Sequence, residues 1–201
     1  MFRFLFCLLS TFVFLNALFA EPSTYYIQNA HTFPAFEADH QGGLSIWRGK
    51  VNRTSGIIVF DKENQTGDIE VEIDMREIDF GWGPMNDRFI SDVYKTKEFP
   101  VAYYKATLTD FVNGEPTSAE GILTLQGISK PVNLSIDKFQ CQPHFRRATV
   151  EVCGADASAT INRAEFDIMY DLPKFFPQVK LLITVEAETG EEARIEERII
   201  E

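Results

Sequence analysis

Cysteine, histidine and basic charge are all scarce in this chain, and each shortage removes a class of function. Three cysteines occur without a CxxC spacing, and three histidines, His31, His40 and His144, without HxH or HExxH spacing. The ligand pairs of a structural zinc site or a zinc protease are therefore missing. No Gly-x-Ser-x-Gly turn is present to carry a Ser–His–acid hydrolase. Lys and Arg number 19 against 30 Asp and Glu, for a formal net charge of −11. With no basic stripe to relieve it, that surface repels phosphate backbones, which argues against nucleic acid and against adhesion to anionic headgroups.

The one long apolar run opens the chain. Arg3 precedes Phe4 to Leu15, broken only by Ser10 and Thr11, and Ala17-Leu18-Phe19-Ala20 offers a small residue for cleavage. Residues 1–20 read as a secretory signal peptide, too short for a comfortable bilayer span. Export to the periplasm follows, with residues 21–188 as one domain and 189–201 as a charged tail without assigned role. Cys141 and Cys153 then remain. An even count in an exported chain predicts a disulfide, with about 3 kcal/mol of stabilisation in the chain-entropy model. The alternative is a thiolate pair binding metal with His144.

Most of the remaining apolar residues recur with period two. In Asp68-Ile69-Glu70-Val71-Glu72-Ile73-Asp74 the aliphatics face one way and the acids the other, as in a half-buried antiparallel strand. Leu134 and Ile136, then Ala155, Ala157, Ala159 and Ile161, then Val179, Leu181, Ile183 and Val185 repeat the pattern. Three alanines on one inward face leave space in the interior. Asn113-Gly114 is a hairpin signal. About eight strands on short turns predict an all-β, antiparallel up-and-down barrel, lipocalin-like in form, whose interior at that size holds one small ligand. A two-sheet sandwich filled by its own side chains has the same periodicity.

One stretch departs from this pattern. Asn86 to Phe99 starts with capping residues, pairs Phe89 with Val93 and Ile90 with Tyr94 at helical spacing, and stops before Pro100. A short helix here would lie across one opening of the barrel. Aromatics cluster with glycines in loops, at Phe80-Gly81-Trp82-Gly83 and Phe175-Phe176, as around a mouth that receives apolar cargo. The candidate lining is Phe36, Ile46 and Trp47 early in the chain, then Phe60, with Ile69, Val71 and Ile73 on the cleanest strand. Phe80, Trp82, Phe89, Ile90, Phe99 and Tyr103 follow around the helical piece, and Leu134, Ile161, Leu181 and Ile183 come from the later strands. Arg48, with His31, His40 or Arg88 near it, is the candidate for a polar head; its structural alternative is an ion pair with Glu37 or Asp39. Arg163 ends a strand and is expected to pin a neighbouring loop. Carboxylates fall on outward faces, which is a solvated surface and not an acid/base pair.

Several longer segments carry a resemblance. AHTFPAFEADH, WRGKVN, SGIIVFD, DRFISDVYKTKEFPVAYYKAT, GILTLQGISKPVNL and GADASATINRAEFDI, in that order between Tyr25 and Glu188, resemble the YceI-like family of periplasmic, lipocalin-like barrels. The resemblance implies an extended eight-stranded barrel, a helical segment near one end, and a tunnel for a polyisoprenoid or related amphiphile such as a polyprenyl phosphate, a quinone or a fatty amide. It places Arg48, His31 and His40 at the polar end and Phe36, Trp47 and Phe89 along the tunnel. It also implies a link, in some members, to a membrane b-type cytochrome. The expectation is a binding protein with no cofactor, its homodimerisation left open. The competing readings are an enzyme acting on such a lipid at the mouth, and a structural or stress-related envelope protein with a filled core.

Overall fold

The computed structural model describes residues 21–190; the expected signal peptide and all but the first two residues of the expected tail lie outside the described residues. Twelve strand segments follow in chain order: β1 Ser23–Ile27, β2 Phe33–His40, β3 Ser45–Val51, β4 Thr54–Asp61, β5 Thr66–Asp74, β6 Ile78–Asp79, β7 Val101–Val112, β8 Glu115–Leu125, β9 Ile128–Pro131, β10 Leu134–Pro143, β11 Glu151–Asn162 and β12 Gln178–Thr189. They make eight staves. The segments β1 and β2 together flank β12, and they pair with β4 and β3 on the other side. In the same way β9 and β10 together flank β8. The two-residue β6 only extends the edge of β3.

Each stave is antiparallel to its neighbour in sequence, and the last meets the first. Tyr25 pairs with Thr189, and Phe36 with Leu181. The sheet is therefore a closed up-and-down barrel, which settles the choice against a sandwich. Breaks in the first two staves are clipped together, because the Asn29 Oδ1 accepts a 2.7 Å hydrogen bond from the Thr54 backbone N–H. One end of the barrel carries the β4–β5, β7–β8 and β10–β11 turns. The other carries the β2–β3 hairpin, the helical piece, the β8–β9 turn and residues 163–177.

The helix differs from its prediction. α1 spans Gly83–Arg88 with Pro84 in its first turn, where a missing N–H costs nothing, and Trp82 precedes it. Asn86 does not cap it; its side chain accepts from the Phe80 N–H at 2.8 Å and donates to Asp79 at 2.9 Å. Phe89–Val93 widens into a π turn, with the Tyr94 N–H reaching the Phe89 carbonyl at 2.8 Å. Phe89 and Val93 are both buried, as their spacing requires, and Gln126 Nε2 donates to the Val93 carbonyl at 2.8 Å.

Cys141 and Cys153 face each other directly across β10 and β11, with Cα atoms 4.0 Å apart, and form the disulfide. Glu151 lies beside both sulfurs, but with the thiols joined the metal alternative loses its thiolates. On β4, Gly56 has φ +143°, and a Cβ there would sit 2.2 Å from the Glu70 carbonyl oxygen. Gly56→Ala should therefore lower stability by at least about 2 kcal/mol. In urea unfolding this reads as a lower midpoint at unchanged slope.

Candidate functional site: an apolar cavity inside the barrel

Small residues on one wall keep the barrel from filling itself. Ala119 on β8 and Gly154, Ala155 and Ala157 on β11 face a cavity of about 140 Å³. Ile58 and Phe60 on β4, Ile69, Val71 and Ile73 on β5, Leu134, Ile136 and Phe139 on β10, and Leu181, Ile183 and Val185 on β12 complete most of its wall. Of these larger side chains only Phe60 is buried; the others are half-buried although they point inward. Inward aliphatics of a solid core would be covered by partners from the opposite wall. Here they border space.

The cavity is apolar. Its potentially polar lining residues are Tyr25, Thr32, Thr54 and Tyr104. The Tyr104 hydroxyl donates to the Val132 carbonyl at 2.9 Å, and Thr32 Oγ1 both donates to and accepts from the Glu186 backbone at 3.2 Å. Burial pushes the Tyr104 phenol up to about 12.

Of the expected lining, Phe60, Ile69, Val71, Ile73, Leu134, Leu181 and Ile183 border this cavity. The loop aromatics do not. Phe36, Trp47, Phe80 and Phe89 join Tyr170 and Phe175 in a stopper at the helical end. Phe80 lies 4.4 Å from Phe89, Phe36 5.3 Å from Phe80, Phe89 5.4 Å from Tyr170 and Trp47 5.8 Å from Phe175. Rings of this size satisfy one another edge-to-face before they leave room for a guest. Ile90 is half-buried against the core and Ile161 is buried in it. Phe99 packs on Gly127, where a Cβ would meet its ring at 2.9 Å.

Three expectations are corrected outright. Ile46 and Trp82 are 54% and 62% exposed on the outside of that end. Tyr103 is 42% exposed because the inward face of β7 is Ala102, Tyr104, Ala106 and Leu108. A one-residue error in register reverses the face, and Lys105, whose charge belongs in solvent, fixes it.

The head-group cluster is not assembled. His31 precedes β2 and His40 ends it, so the two lie roughly 25 Å apart along an extended chain. His31 Nδ1 is 3.3 Å from Glu186, while His40 stacks on Trp47 at 4.2 Å and reaches the Ser45 hydroxyl at 3.1 Å. Arg48 forms a 2.8 Å ion pair with Glu37 on the exposed face, and the Arg88 guanidinium lies 4.9 Å over the Tyr170 ring. Arg163 is buried and donates to the Ile168 carbonyl at 2.9 Å, holding the loop after β11.

A polar network that reaches the cavity wall through Tyr25 lies at the other end, and the sequence reading missed it. Tyr25, fully buried, donates to Glu151 at 2.5 Å, and Lys62 Nζ contacts both Glu151 oxygens at 2.7 Å. Counting back by twos from Ala155 through Cys153 places Glu151 on the inward face, which was the available signal. Burial raises the Glu151 carboxyl, but the hydrogen bonds from Lys62 and Tyr25 outweigh it and hold the group below its ordinary value. Burial, then Glu151, pushes the Tyr25 phenol up.

Fold and interior together define a class, the closed eight-stranded up-and-down barrel with an apolar bore. Within that class the chain belongs to the family of YceI-like domains, whose profile matches residues 25–189. UPF0312 proteins of Pseudomonas paraeruginosa and Pseudomonas aeruginosa are 28% identical over 161 residues, covering 79% of this chain and 82% of theirs. Among solved structures, a polyisoprenoid binding domain from Saccharophagus degradans superposes with TM-score 0.61 at 13% identity, over 85% of this chain and 100% of that one. Burkholderia cenocepacia BcnA does so at 0.60 and 16% identity, over 80% and 98%. The Campylobacter jejuni YCEI protein gives 0.61 at 20% identity, over 73% and 87%.

The Glu151 network generates a pH prediction. A carboxyl lowered in the folded state contributes stability above its unfolded pKa and loses it as pH falls through the folded value. Glu151→Gln should melt below the native protein at pH 7, and the gap between the two melting temperatures should close below about pH 4. A gap that persists in acid would mean that the network acts by shape and not by charge.

Proposed function

We infer that this protein is an exported binding protein that holds a long-chain amphiphile of the polyisoprenoid type, its apolar chain inside the barrel. The observation that carries the reading is the set of inward aliphatics left half-buried around an apolar cavity. Covering such surface yields about 0.8 kcal/mol per CH₂, before ordering costs reduce it. The Saccharophagus degradans neighbour is titled a polyisoprenoid binding domain, and its likeness in fold supports the same cargo class here. The cavity of about 140 Å³ is near the size of an engineered protein cavity that takes benzene. A long chain therefore extends it by turning lining side chains aside. Phe139 and Phe111, half-buried beside Phe60 at 5.6 and 6.2 Å, are the rings placed to move.

A carrier fits this lining better than a catalyst does. Cys153 is tied in the disulfide, the Tyr25, Tyr104 and Thr32 hydroxyls are engaged by the protein itself, and of the lining hydroxyls only Thr54 Oγ1 lacks a hydrogen-bond partner among the described residues. A polyprenyl phosphate, a quinone or a fatty amide each offers a chain for this bore. The leader-like residues 1–20 support export to the periplasm, where storage or transport of such a molecule would take place.

The test is to purify the protein from the envelope of its own host and identify what an organic extract releases. A long-chain amphiphile near one per protein is expected. Ala157→Phe, which puts a ring into the cavity from its small-residue wall, should cut the recovered lipid at least about tenfold while the barrel still folds. An empty native extract, or equal recovery from the variant, overturns the reading.

A further inference from the structure

The most exposed large apolar side chain of the described residues is at the cavity end of the barrel. Phe145, 82% exposed, caps the turn between β10 and β11. An isolated surface phenylalanine needs no explanation, but this one is built in. The His144 ring stacks on it at 4.9 Å from below, and the Arg146 guanidinium lies 4.8 Å over it.

The turn that holds it is rigid. The His144 N–H donates to the Val150 carbonyl at 2.8 Å, and the Val150 N–H to the Arg147 carbonyl at 2.9 Å. His144 Nδ1 accepts from the Arg146 and Arg147 N–H groups, both at 3.1 Å. Arg147 pairs with the buried Glu188, and the Cys141–Cys153 disulfide staples the two strands at the base. Cys153 itself lines the cavity. The finger is thus an extension of the cavity wall.

We propose that the Phe145 finger docks the barrel, cavity end first, on a lipid bilayer containing anionic headgroups. The Phe145 ring enters the interfacial zone, where an aromatic with a charged neighbour is favoured. Arg146, with no carboxylate in salt-bridge range among the described residues, meets the phosphates.

The opposite end also shows apolar groups, with Leu44 at 72%, Trp82 at 62% and Phe176 at 52% exposed. Its loops are organised on carboxylates. Asp39 accepts from the Gly42 and Phe176 N–H groups, and Asp79 from that of Gly81. The ring stopper also separates that end from the cavity. Asp61 organises a turn at the finger's end in the same way, through the Asn64 N–H, so access to the cavity, with Arg146 beside the ring, is what favours the finger.

The proposal borrows only its purpose, loading and release of cargo, from the proposed function. Docking is measured without cargo, so the two fail separately. The purified protein is floated with vesicles of phosphatidylcholine alone and of phosphatidylcholine with phosphatidylglycerol. Binding should be stronger to the anionic vesicles and weaken with added salt. Phe145→Ser should reduce partitioning about tenfold, and Arg146→Glu at least about fivefold on anionic vesicles. Leu44→Ser should leave it unchanged. All three positions are exposed, and unchanged melting temperatures check the fold. Absence of binding to anionic vesicles, which would leave a protein as the finger's partner, overturns the proposal. So does a loss that follows Leu44→Ser in place of Phe145→Ser.

Discussion

The structure depends on the antiparallel pairing of β12 with β1 and β2, which closes the sheet on itself. Closure fixes the distance between opposite walls by hydrogen-bond geometry and strand number, not by how well the side chains between them fit. Diametrically across the barrel, β5 presents Ile69, Val71 and Ile73 while β11 presents Ala155 and Ala157. An open sandwich with the same residues would bring its sheets together until they met. A closed ring of eight staves cannot, and so the short side chains of β11 translate into space.

The two ends of this ring are chemically different. At the helical end the guest's place is taken by aromatic rings, and the π turn aims Phe89 into them. π turns are frequent where a helix must aim a side chain out of register. Tyr94, half-buried in the same region, has its phenol pushed up to about 12 by desolvation. At the other end Tyr25 is part of the cavity wall, and its hydroxyl is held by Glu151, which is paired with Lys62. A bore stoppered by rings at one end and lined at the other by a tyrosine hydrogen-bonded to an ion pair has a direction. An amphiphile with one polar terminus would be oriented by it.

The barrel was legible because period-two alternation reports which face of a strand is wet, and the acids of β5 and the alanines of β11 leave little ambiguity. Periodicity says nothing about depth along the bore. Phe36 and Phe60 read alike in sequence, yet one lies in the stopper and the other on the cavity wall. Loop aromatics at Phe80 and Phe175 look like the rim of a mouth because loops surround mouths; here the rings have turned inward and closed one. Where two tyrosines adjoin, only the flanking residues choose between them, and Lys105 chooses Tyr104 over Tyr103. The family segments carried the fold, but the grouping of His31, His40 and Arg48 failed because a single extended strand separates the two histidines.

Net charge and local charge are different quantities. A net charge of −11 describes repulsion at long range, and at physiological salt charges beyond about 8 Å are largely screened. What a docking tip feels is its own neighbourhood. Within the finger itself Arg147 is paired with Glu188, and Arg146 is the charge beside the Phe145 ring; Asp61, Glu63, Asp110 and Glu115 lie in or next to the neighbouring turns of the same end. An acidic protein can therefore present a basic, aromatic contact to an anionic bilayer while the rest of its surface is held off it. In the proposed docking that contact would set orientation as well as affinity, bringing the stapled hairpin, and with it the cavity end of the barrel, to the bilayer.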